Sequence, residues 1–169
     1  MSLSIDEIRA IRAIRAIRAI RAIRAIRAEC ERLSVAYAVY IDTRRYAEFA
    51  ALFGETGILA VGGRQQGQQA IAAAMAQRSD KLRSRHVLTN TVIDVQDAEH
   101  ASDVSYLTLY RHLGDASLDP GPINSFSPAA VGHYTDAFAL TPDGWRFAKR
   151  ELSFAFQNME YFARPANTK

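Results

Sequence analysis

The first 53 residues of the chain contain neither glycine nor proline, the two residues that most readily end a helix. Residues 8–28 within them are seven consecutive copies of Ile-Arg-Ala, and all three residue types permit helix. Ser4 and Glu7 have the spacing of a capping box at the start of this segment. We therefore predict one long helix from Ile5 to about Tyr40, roughly 50 Å long at about 1.5 Å per residue.

The three-residue repeat does not match the roughly 3.6 residues of a helical turn. Because each copy advances by about 300°, the isoleucines drift around the helix and form no fixed apolar face. We interpret the repeat as an expanded tandem segment that is tolerated as an extension, with packing on a partner subunit as one use. A membrane-surface helix and an organelle presequence are the alternatives, and both require a sustained apolar face.

The charge of the chain is concentrated in this repeat. The net charge is +3, but the repeat holds seven arginines and no acid, and the remaining 14 basic and 18 acidic residues give −4. A nucleic-acid-binding domain needs a basic patch with stacking aromatic residues on its folded body, and residues 29–169 lack one. No apolar run approaches the roughly 18 residues of a membrane span, and no signal-peptide pattern is present. We predict no nucleic-acid or membrane partner.

A length of 169 residues with 49% hydrophobic composition suits one soluble domain with a real core. The single cysteine, Cys30, cannot form an internal disulfide, which favours a reducing cytoplasm as the location. Cys30 has no partner cysteine or nearby histidine, so we predict a structural role for it.

After the repeat, the pattern stays helical and then becomes β. Leu33, Ala36, Tyr37 and Tyr40 have amphipathic helical spacing, and from Ser84 onward β-branched residues alternate with polar ones. Helices are predicted at residues 43–53 and 68–78, and strands at 57–61, 85–96, 102–113, 130–140 and 145–156. A tight Pro142-Asp143-Gly144 turn joins the last two strands. The loop at residues 114–128 is long enough for a lid or a partner contact, and the tail from Arg164 is expected to fray.

This order of elements predicts the α+β class. We expect a strongly curved mixed or antiparallel sheet with three helices over its concave face, which forms a conical α+β barrel with one open mouth. Such a shape suits a small-molecule pocket. The domain limits are predicted as a helical extension at residues 1–28, one domain at 29–160 and a tail at 161–169.

Three segments resemble the SnoaL-like domains of the nuclear transport factor 2-like superfamily, over residues 29–157. They are Tyr37-(x)4-Asp42 followed by Tyr46-Ala-Glu-Phe-Ala-Ala-Leu-Phe53, then Arg85-His86-Val-Leu-Thr-Asn90, and Gly132-His-Tyr-Thr-Asp136 running to Asp143-Gly-Trp-Arg-Phe-Ala-Lys-Arg150. The resemblance implies cofactor-free dehydratases, isomerases and cyclases, ring-hydroxylating dioxygenase β subunits, or binding domains. Within the superfamily, the chain resembles proteins of the scytalone dehydratase, bile-acid dehydratase and ketosteroid isomerase types, and the expected chemistry is theirs.

In the dehydratase branches a Tyr, an Asp and a His line the pocket, and by position these are Tyr37, Asp42 and His86. That branch also has an acid on the second long strand, where this chain reads Leu109-Tyr110-Arg111 without a carboxylate. A basic residue is expected near the end of the Trp-bearing strand, and Lys149 or Arg150 fits. An ion pair with Asp136 is a structural alternative for Arg150.

These residue types suit proton transfer beside a carbonyl. Histidine titrates near neutrality, desolvation in an apolar cone raises the pKa of a carboxylate, and a Tyr hydroxyl can donate to an enolate oxygen. We predict a cofactor-free dehydratase or isomerase that acts by general acid–base catalysis on a small hydrophobic ring-containing molecule of steroid, polyketide or aromatic type. The catalytic residues would be Asp42, His86 and Tyr37, with substrate contacts from Tyr46, Asn90, Tyr106, Tyr110 and Arg150.

Three alternatives stay open on the sequence. Asp42 has a second plausible role as the cap of the following helix. A metal site made of Asp42, His86 and His112 has no short ligand spacing to support it, so none is predicted. The protein as a whole could be a non-catalytic ligand-binding or assembly domain, such as a dioxygenase β-subunit-like protein. In either case the exposed sheet face is expected to pair into a homodimer or homotrimer.

Overall fold

The computed structural model describes residues 4–124 and 127–162. Helix α1 runs without interruption from Ile5 to Asp42, slightly beyond its predicted end. The Ser4 hydroxyl accepts a hydrogen bond from the Glu7 amide, and the Glu7 carboxylate accepts one from the Ser4 amide, which completes the predicted capping box. The repeat isoleucines from Ile8 to Ile23 are 37–51% exposed, so they remain largely in solvent.

The last part of α1 is amphipathic. Its large buried apolar side chains are Cys30, Leu33, Tyr37 and Ile41, which recur at helical spacing and form one face. The predicted domain limit after residue 28 therefore falls inside a continuous helix, just before the first buried side chain.

Two short helices and six strands follow α1. They are α2 (Tyr46–Ala50), β1 (Phe53–Ala60), β2 (Arg64–Gln66), α3 (Gln68–Ala76), β3 (Leu82–Val95), β4 (His100–Leu113), β5 (Ala130–Thr141) and β6 (Gly144–Gln157). Single 3₁₀ turns lie at Asp115–Ser117 and Met159–Tyr161.

Three predicted elements differ from the structure. The helix predicted at residues 43–53 is only the five residues of α2, because Phe53 already pairs with Phe147 of β6. The strand predicted at 57–61 therefore begins earlier, as β1. The short strand β2 was not predicted, and it pairs with the end of β1 through a turn at Gly62 and Gly63, both with positive φ.

The strands form one sheet in the order β2-β1-β6-β5-β4-β3. β1 and β6 are parallel, and every other neighbouring pair is antiparallel. Bulges interrupt the β3–β4 and β5–β6 pairings, and such bulges bend a sheet. The α+β class and the curved mixed sheet are confirmed, but the sheet has edges at β2 and β3 and is not a closed barrel.

The core lies between the helices and the inner face of the sheet. α1 packs on β3 and β6, and α3 packs on β1. Aromatic rings fill the centre, where Tyr37 of α1 contacts the rings of Phe49, Tyr134 and Phe147. The sheet thus holds the end of α1 against β3, where the candidate site lies.

The outer face of β3 and β4 exposes Val87, Val104, Tyr106 and Tyr110. Pairing of this face with a second copy of the chain stays a prediction. Within residues 4–124 and 127–162, no helix is long and apolar enough to cross a bilayer. The tail expected to fray from Arg164 lies outside the described residues.

Candidate active site

Asp42 is the last residue of α1, and its side chain reaches β3. Its Oδ1 accepts a hydrogen bond from the Ser84 hydroxyl at 2.8 Å, and its Oδ2 accepts one from the His86 backbone amide at 2.7 Å. A carboxylate at a helix C-terminus is disfavoured by the helix dipole, so these donors compensate for its position. The N-cap of α2 is Arg45, without a side-chain cap, so Asp42 does not cap that helix.

The His86 ring forms the third contact of this carboxylate. His86 Nδ1 lies 2.7 Å from Asp42 Oδ1, and each side chain is only 8% exposed. Since an ionised carboxylate can only accept, we assign the proton of neutral His86 to Nδ1. The lone pair then lies on Nε2, which has no hydrogen-bond partner within the described part of the chain.

The pKa of the Asp42 carboxyl is lowered, whereas the sequence leads us to expect it to be raised. Burial raises the pKa of the Asp42 carboxyl, but the hydrogen bonds and charge of His86, together with the Ser84 hydroxyl, outweigh burial and hold the pKa below its ordinary value. The sequence-based expectation of a carboxylate with a raised pKa is therefore wrong. Asp42 therefore stays ionised at neutral pH.

A cavity of about 280 Å³ lies beside this pair. His86, Ser84 and Tyr37 line it, whereas Asp42 lies behind His86. Most of the remaining lining is apolar, and the charged side chains among the described lining residues are two arginines. The other lining residues are Ile41, Val61, Gly62, Arg78, Leu82, Leu109, Arg111, Leu152, Phe154, Gln157 and Phe162.

Tyr37 lies at the inner wall of the cavity. Its ring is perpendicular to that of His86, with the centroids 6.4 Å apart, and the guanidinium carbon of Arg150 lies 4.2 Å from the Tyr37 centroid. Burial raises the pKa of Tyr37, so the phenol stays protonated at neutral pH. Tyr37 is therefore suited to donate a hydrogen bond rather than to remove a proton.

Arg150 does not line this cavity, although it was predicted to contact substrate. It is fully buried, and its Nε donates to Asp136 Oδ1 at 2.9 Å while its Nη2 donates to the other carboxylate oxygen and to the Ser34 hydroxyl. Arg150 therefore forms the ion pair with Asp136 that was the structural alternative for this residue. Its guanidinium packs on the ring of Tyr37, which does line the cavity.

The other predicted substrate contacts also lie outside the cavity. Tyr106 and Tyr110 are 51% and 38% exposed on the outer face of β4, because alternation turns Leu107 and Leu109 inward. Asn90 is exposed, with a φ of 51°, at the bulge between Thr89 and Val92.

Tyr46 is partly buried in α2 and packs on the core, away from the cavity lining. The structure therefore brings together Asp42, His86 and Tyr37, and leaves the five predicted substrate-contact residues outside.

Sequence reasoning missed the two arginines of the lining. Arg111 shares the inner face of β4 with Leu107 and Leu109, so the two-residue period of the strand could have located it. Arg78 follows α3, and no local pattern indicates its direction. Across the described ranges, no three His, Cys, Asp or Glu side chains are grouped to hold a metal ion.

Comparison with known proteins fits this architecture. A model of the SnoaL-like domain family matches residues 23–151, and no curated protein matches. Among solved structures, a candidate scytalone dehydratase from Novosphingobium aromaticivorans is similar at 20% identity, with 88% of this chain and 95% of that chain covered and a TM-score of 0.70. A cystatin-fold, NTF2-like protein from the same species is similar at 21% identity, with coverages of 94% and 97% and a TM-score of 0.66.

ActVI-ORFA from Streptomyces coelicolor is similar at 17% identity, with 78% of this chain and 98% of that chain covered and a TM-score of 0.63. At these identities the likeness shows the fold. The fold and site define a small α+β protein whose cavity lies between a helix end and a curved sheet. The chain belongs to the SnoaL-like domain family, whose model matches most of its length.

Proposed function

We propose that this protein is a cofactor-independent lyase or isomerase that acts by general acid–base catalysis on a small hydrophobic ring-containing molecule. One observation carries the proposal. The His86 ring is held through Nδ1 by the buried Asp42 carboxylate at 2.7 Å and forms part of the cavity wall. A base must be oriented towards its substrate and stabilised once protonated, and this contact supplies both.

The first chemical step is removal of a proton from a carbon next to a carbonyl. The lone pair of His86 Nε2 takes this proton, and the C–H electrons move into the carbonyl to form an enolate. The ionised Asp42 carboxylate stabilises the resulting imidazolium through Nδ1–H. The negative enolate forms in a cavity lined by Arg78 and Arg111 and by no carboxylate among its described residues, which favours its charge.

The second step returns the proton and decides the reaction class. In a dehydration, the enolate electrons form a carbon–carbon double bond as the β-hydroxyl leaves, and the imidazolium proton goes to that oxygen to give water. In an isomerisation, the same proton goes to a different carbon of the conjugated system. Neither path changes the oxidation state of the substrate as a whole, so an acid and a base suffice.

The non-catalytic alternative predicts an apolar cavity without a converging acid–base pair. The buried Asp42–His86 contact beside the cavity favours catalysis over that alternative, since a binding domain has no need of an oriented imidazole. Apolar lining residues such as Leu109, Leu152 and Phe154 support a hydrophobic substrate.

Proton abstraction can be tested without knowledge of the product. The protein is incubated in D₂O with a panel of cyclic β-hydroxy ketones and unsaturated ketones, and mass spectrometry detects deuterium at the α carbon or loss of water. His86→Ala is expected to lower the exchange rate by about 10²–10⁴-fold. The matched control is His100→Ala, since His100 makes the same Nδ1 contact with a carboxylate, Asp97, on the exposed surface.

A wild-type rate in His86→Ala contradicts the proposal. Tight binding of panel members with no exchange in the wild-type protein supports the ligand-binding alternative instead.

A further inference from the structure

Arg78 and Arg111 reach the cavity from two different elements. Arg78 follows the C-terminus of α3, where its backbone amide donates to the Met75 carbonyl at 3.0 Å. Arg111 lies near the end of β4, on the strand face that points inward. Both line the same cavity as His86, and both side chains are partly buried. The proposed base and two positive charges therefore line one cavity.

Among the residues that the structure describes, neither arginine has an acidic partner. Within residues 4–124 and 127–162, neither guanidinium forms an ion pair or a hydrogen bond, and the Nε atom of each is buried without a partner. The residues outside these ranges include no Asp or Glu. By contrast, the buried Arg150 has a carboxylate partner, because its Nε and Nη2 both donate to Asp136. A partly buried cation without a counter-charge is costly, so its retention calls for an explanation.

The two charges also oppose each other. Burial, and after it the positive charge of Arg78, lowers the pKa of Arg111. A guanidinium nevertheless stays protonated in proteins, so both charges persist at neutral pH. The Arg111 guanidinium lies 4.6 Å from the centroid of the Phe162 ring, which orients it and offers only partial compensation.

We propose that this cavity binds an organic carboxylate, with its carboxylate group between Arg78 and Arg111 and its apolar body against Leu109, Leu152 and Phe154. A carboxylate matches the planar fork of a guanidinium and accepts from both arginines at once. The adjacent position of His86 places the reacting carbon of the same molecule near Nε2. This last point rests on the proposed function, whereas the binding of a carboxylate does not.

A permanent anion explains the pair better than an enolate alone. The two positive charges are present in the resting protein, whereas an enolate exists only during turnover and would leave them unneutralised for most of the cycle. The carboxylate group of a bound molecule is charged throughout the cycle, so it neutralises the two guanidinium groups as long as the molecule is bound and relieves their mutual repulsion. The small apolar cavity also favours a carboxylate over a phosphate dianion, which is larger and more strongly hydrated.

Binding of two isosteric probes tests this inference. Isothermal titration calorimetry compares 2-naphthoate with its neutral amide, 2-naphthamide, at pH 7.5 and low salt. The wild-type protein is expected to bind the acid at least about tenfold more tightly, because charge-assisted hydrogen bonds are stronger than neutral ones. Arg78→Gln and Arg111→Gln are each expected to reduce that preference several-fold. Arg146→Gln, which removes a positive charge outside the cavity, should leave it unchanged.

The outcomes separate this inference from the proposed function. His86→Ala should keep the preference for the acid while it loses exchange activity. Equal affinity for acid and amide, or no binding of 2-naphthoate at millimolar concentration, overturns the carboxylate site and leaves the His86 experiment intact. If equal affinities accompany lower turnover in Arg111→Gln, the arginines serve only the enolate.

Substitution of Arg111 within β4 carries a risk of misfolding. If Arg111→Gln misfolds, Arg78→Gln alone tests the carboxylate site, because Arg78 lies outside the helices and strands. The second measurement is the melting temperature, which 2-naphthoate should raise and 2-naphthamide should not.

Discussion

The Asp42 carboxylate is bonded to His86 at two points, through the ring Nδ1 and through the backbone amide, each at 2.7 Å. These bonds join the last residue of α1 to β3, so one carboxylate fixes both the strand and the ring. Ser84, two residues earlier on the same strand face, adds a third bond. A change at Asp42 therefore acts on the imidazole without removing a group that lines the cavity.

Asp42→Asn is expected to lower the rate of proton abstraction by about 10²–10⁴-fold, with a smaller effect on substrate affinity. The amide NH₂ can donate to His86 Nδ1, which shifts the ring proton to Nε2 and removes the lone pair that faces the cavity. The measurement is the α-deuterium exchange rate as a function of pH, together with KM. A purely structural role predicts loss of folded protein rather than an altered pH profile.

The control for this substitution is Asp97→Asn, which alters the exposed carboxylate beside His100. It should keep the wild-type exchange rate. Equal rates in Asp42→Asn and wild type, with His86 still essential, would remove Asp42 from the catalytic scheme.

Stability should fall as the pH rises because of Asp103. This residue is buried on β4 opposite Asp136 of β5, and burial, followed by the charge of Asp136, raises the pKa of Asp103 to about 7 from the model-compound value of 3.8. Since the folded pKa is the higher one, the folded state binds more protons between these values. The stabilisation is complete below the unfolded pKa and is lost as the pH rises through the folded pKa, by on the order of 4 kcal/mol.

Asp103→Asn isolates this contribution, because the amide resembles the neutral acid in shape and can donate to Asp136. We expect the variant to lose the decline in the free energy of unfolding between about pH 4 and pH 8, and to be more stable than wild type at pH 8. Urea unfolding at a series of pH values measures it, with Asp143→Asn in an exposed turn as the control. An unchanged slope in Asp103→Asn contradicts the assignment.

The buried ion pair of Arg150 and Asp136 should be essential for stability. Arg150→Met leaves Asp136 and Asp103 without their shared cation and removes the guanidinium from the Tyr37 ring. The expected loss is about 3–5 kcal/mol, since removal of one partner leaves an uncompensated buried charge. Urea unfolding at pH 7 measures the loss.

The neighbouring Lys149→Met is the matched control, because Lys149 pairs with Glu151 on the surface and such pairs contribute less than about 1 kcal/mol. Similar stabilities for the two variants would show that the buried pair is dispensable.

Local patterns in the sequence were sufficient for much of the fold. The absence of glycine and proline predicted α1, and two-residue alternation predicted the four long strands, because both signals depend on neighbouring residues. The short α2 and the early start of β1 were not predictable in this way. They depend on the pairing of Phe53 with Phe147, two residues far apart in the chain.

The candidate site likewise depends on features that neighbouring residues alone do not predict. Asn90 is a predicted substrate contact, but it lies at the bulge between Thr89 and Val92, which changes the phase of β3 and leaves Asn90 exposed. Tyr106 and Tyr110 are predicted substrate contacts, but the apolar Leu107 and Leu109 determine which face of β4 is buried, and the two tyrosines lie on the other face. The position of Arg78 in the cavity lining depends on tertiary packing, which no local pattern encodes.

The repeat should be separable from the folded domain. Deletion of residues 8–25 removes six copies of Ile-Arg-Ala, and these 18 residues make about five helical turns, so Ser4 and Glu7 keep their phase relative to Cys30. Because the deleted isoleucines are largely exposed, the free energy of unfolding is expected to change by less than about 1 kcal/mol. Thermal unfolding and light scattering measure stability and subunit number. A smaller assembly after deletion would assign the repeat to a subunit interface, whereas a loss of several kcal/mol without a change in assembly contradicts the expectation.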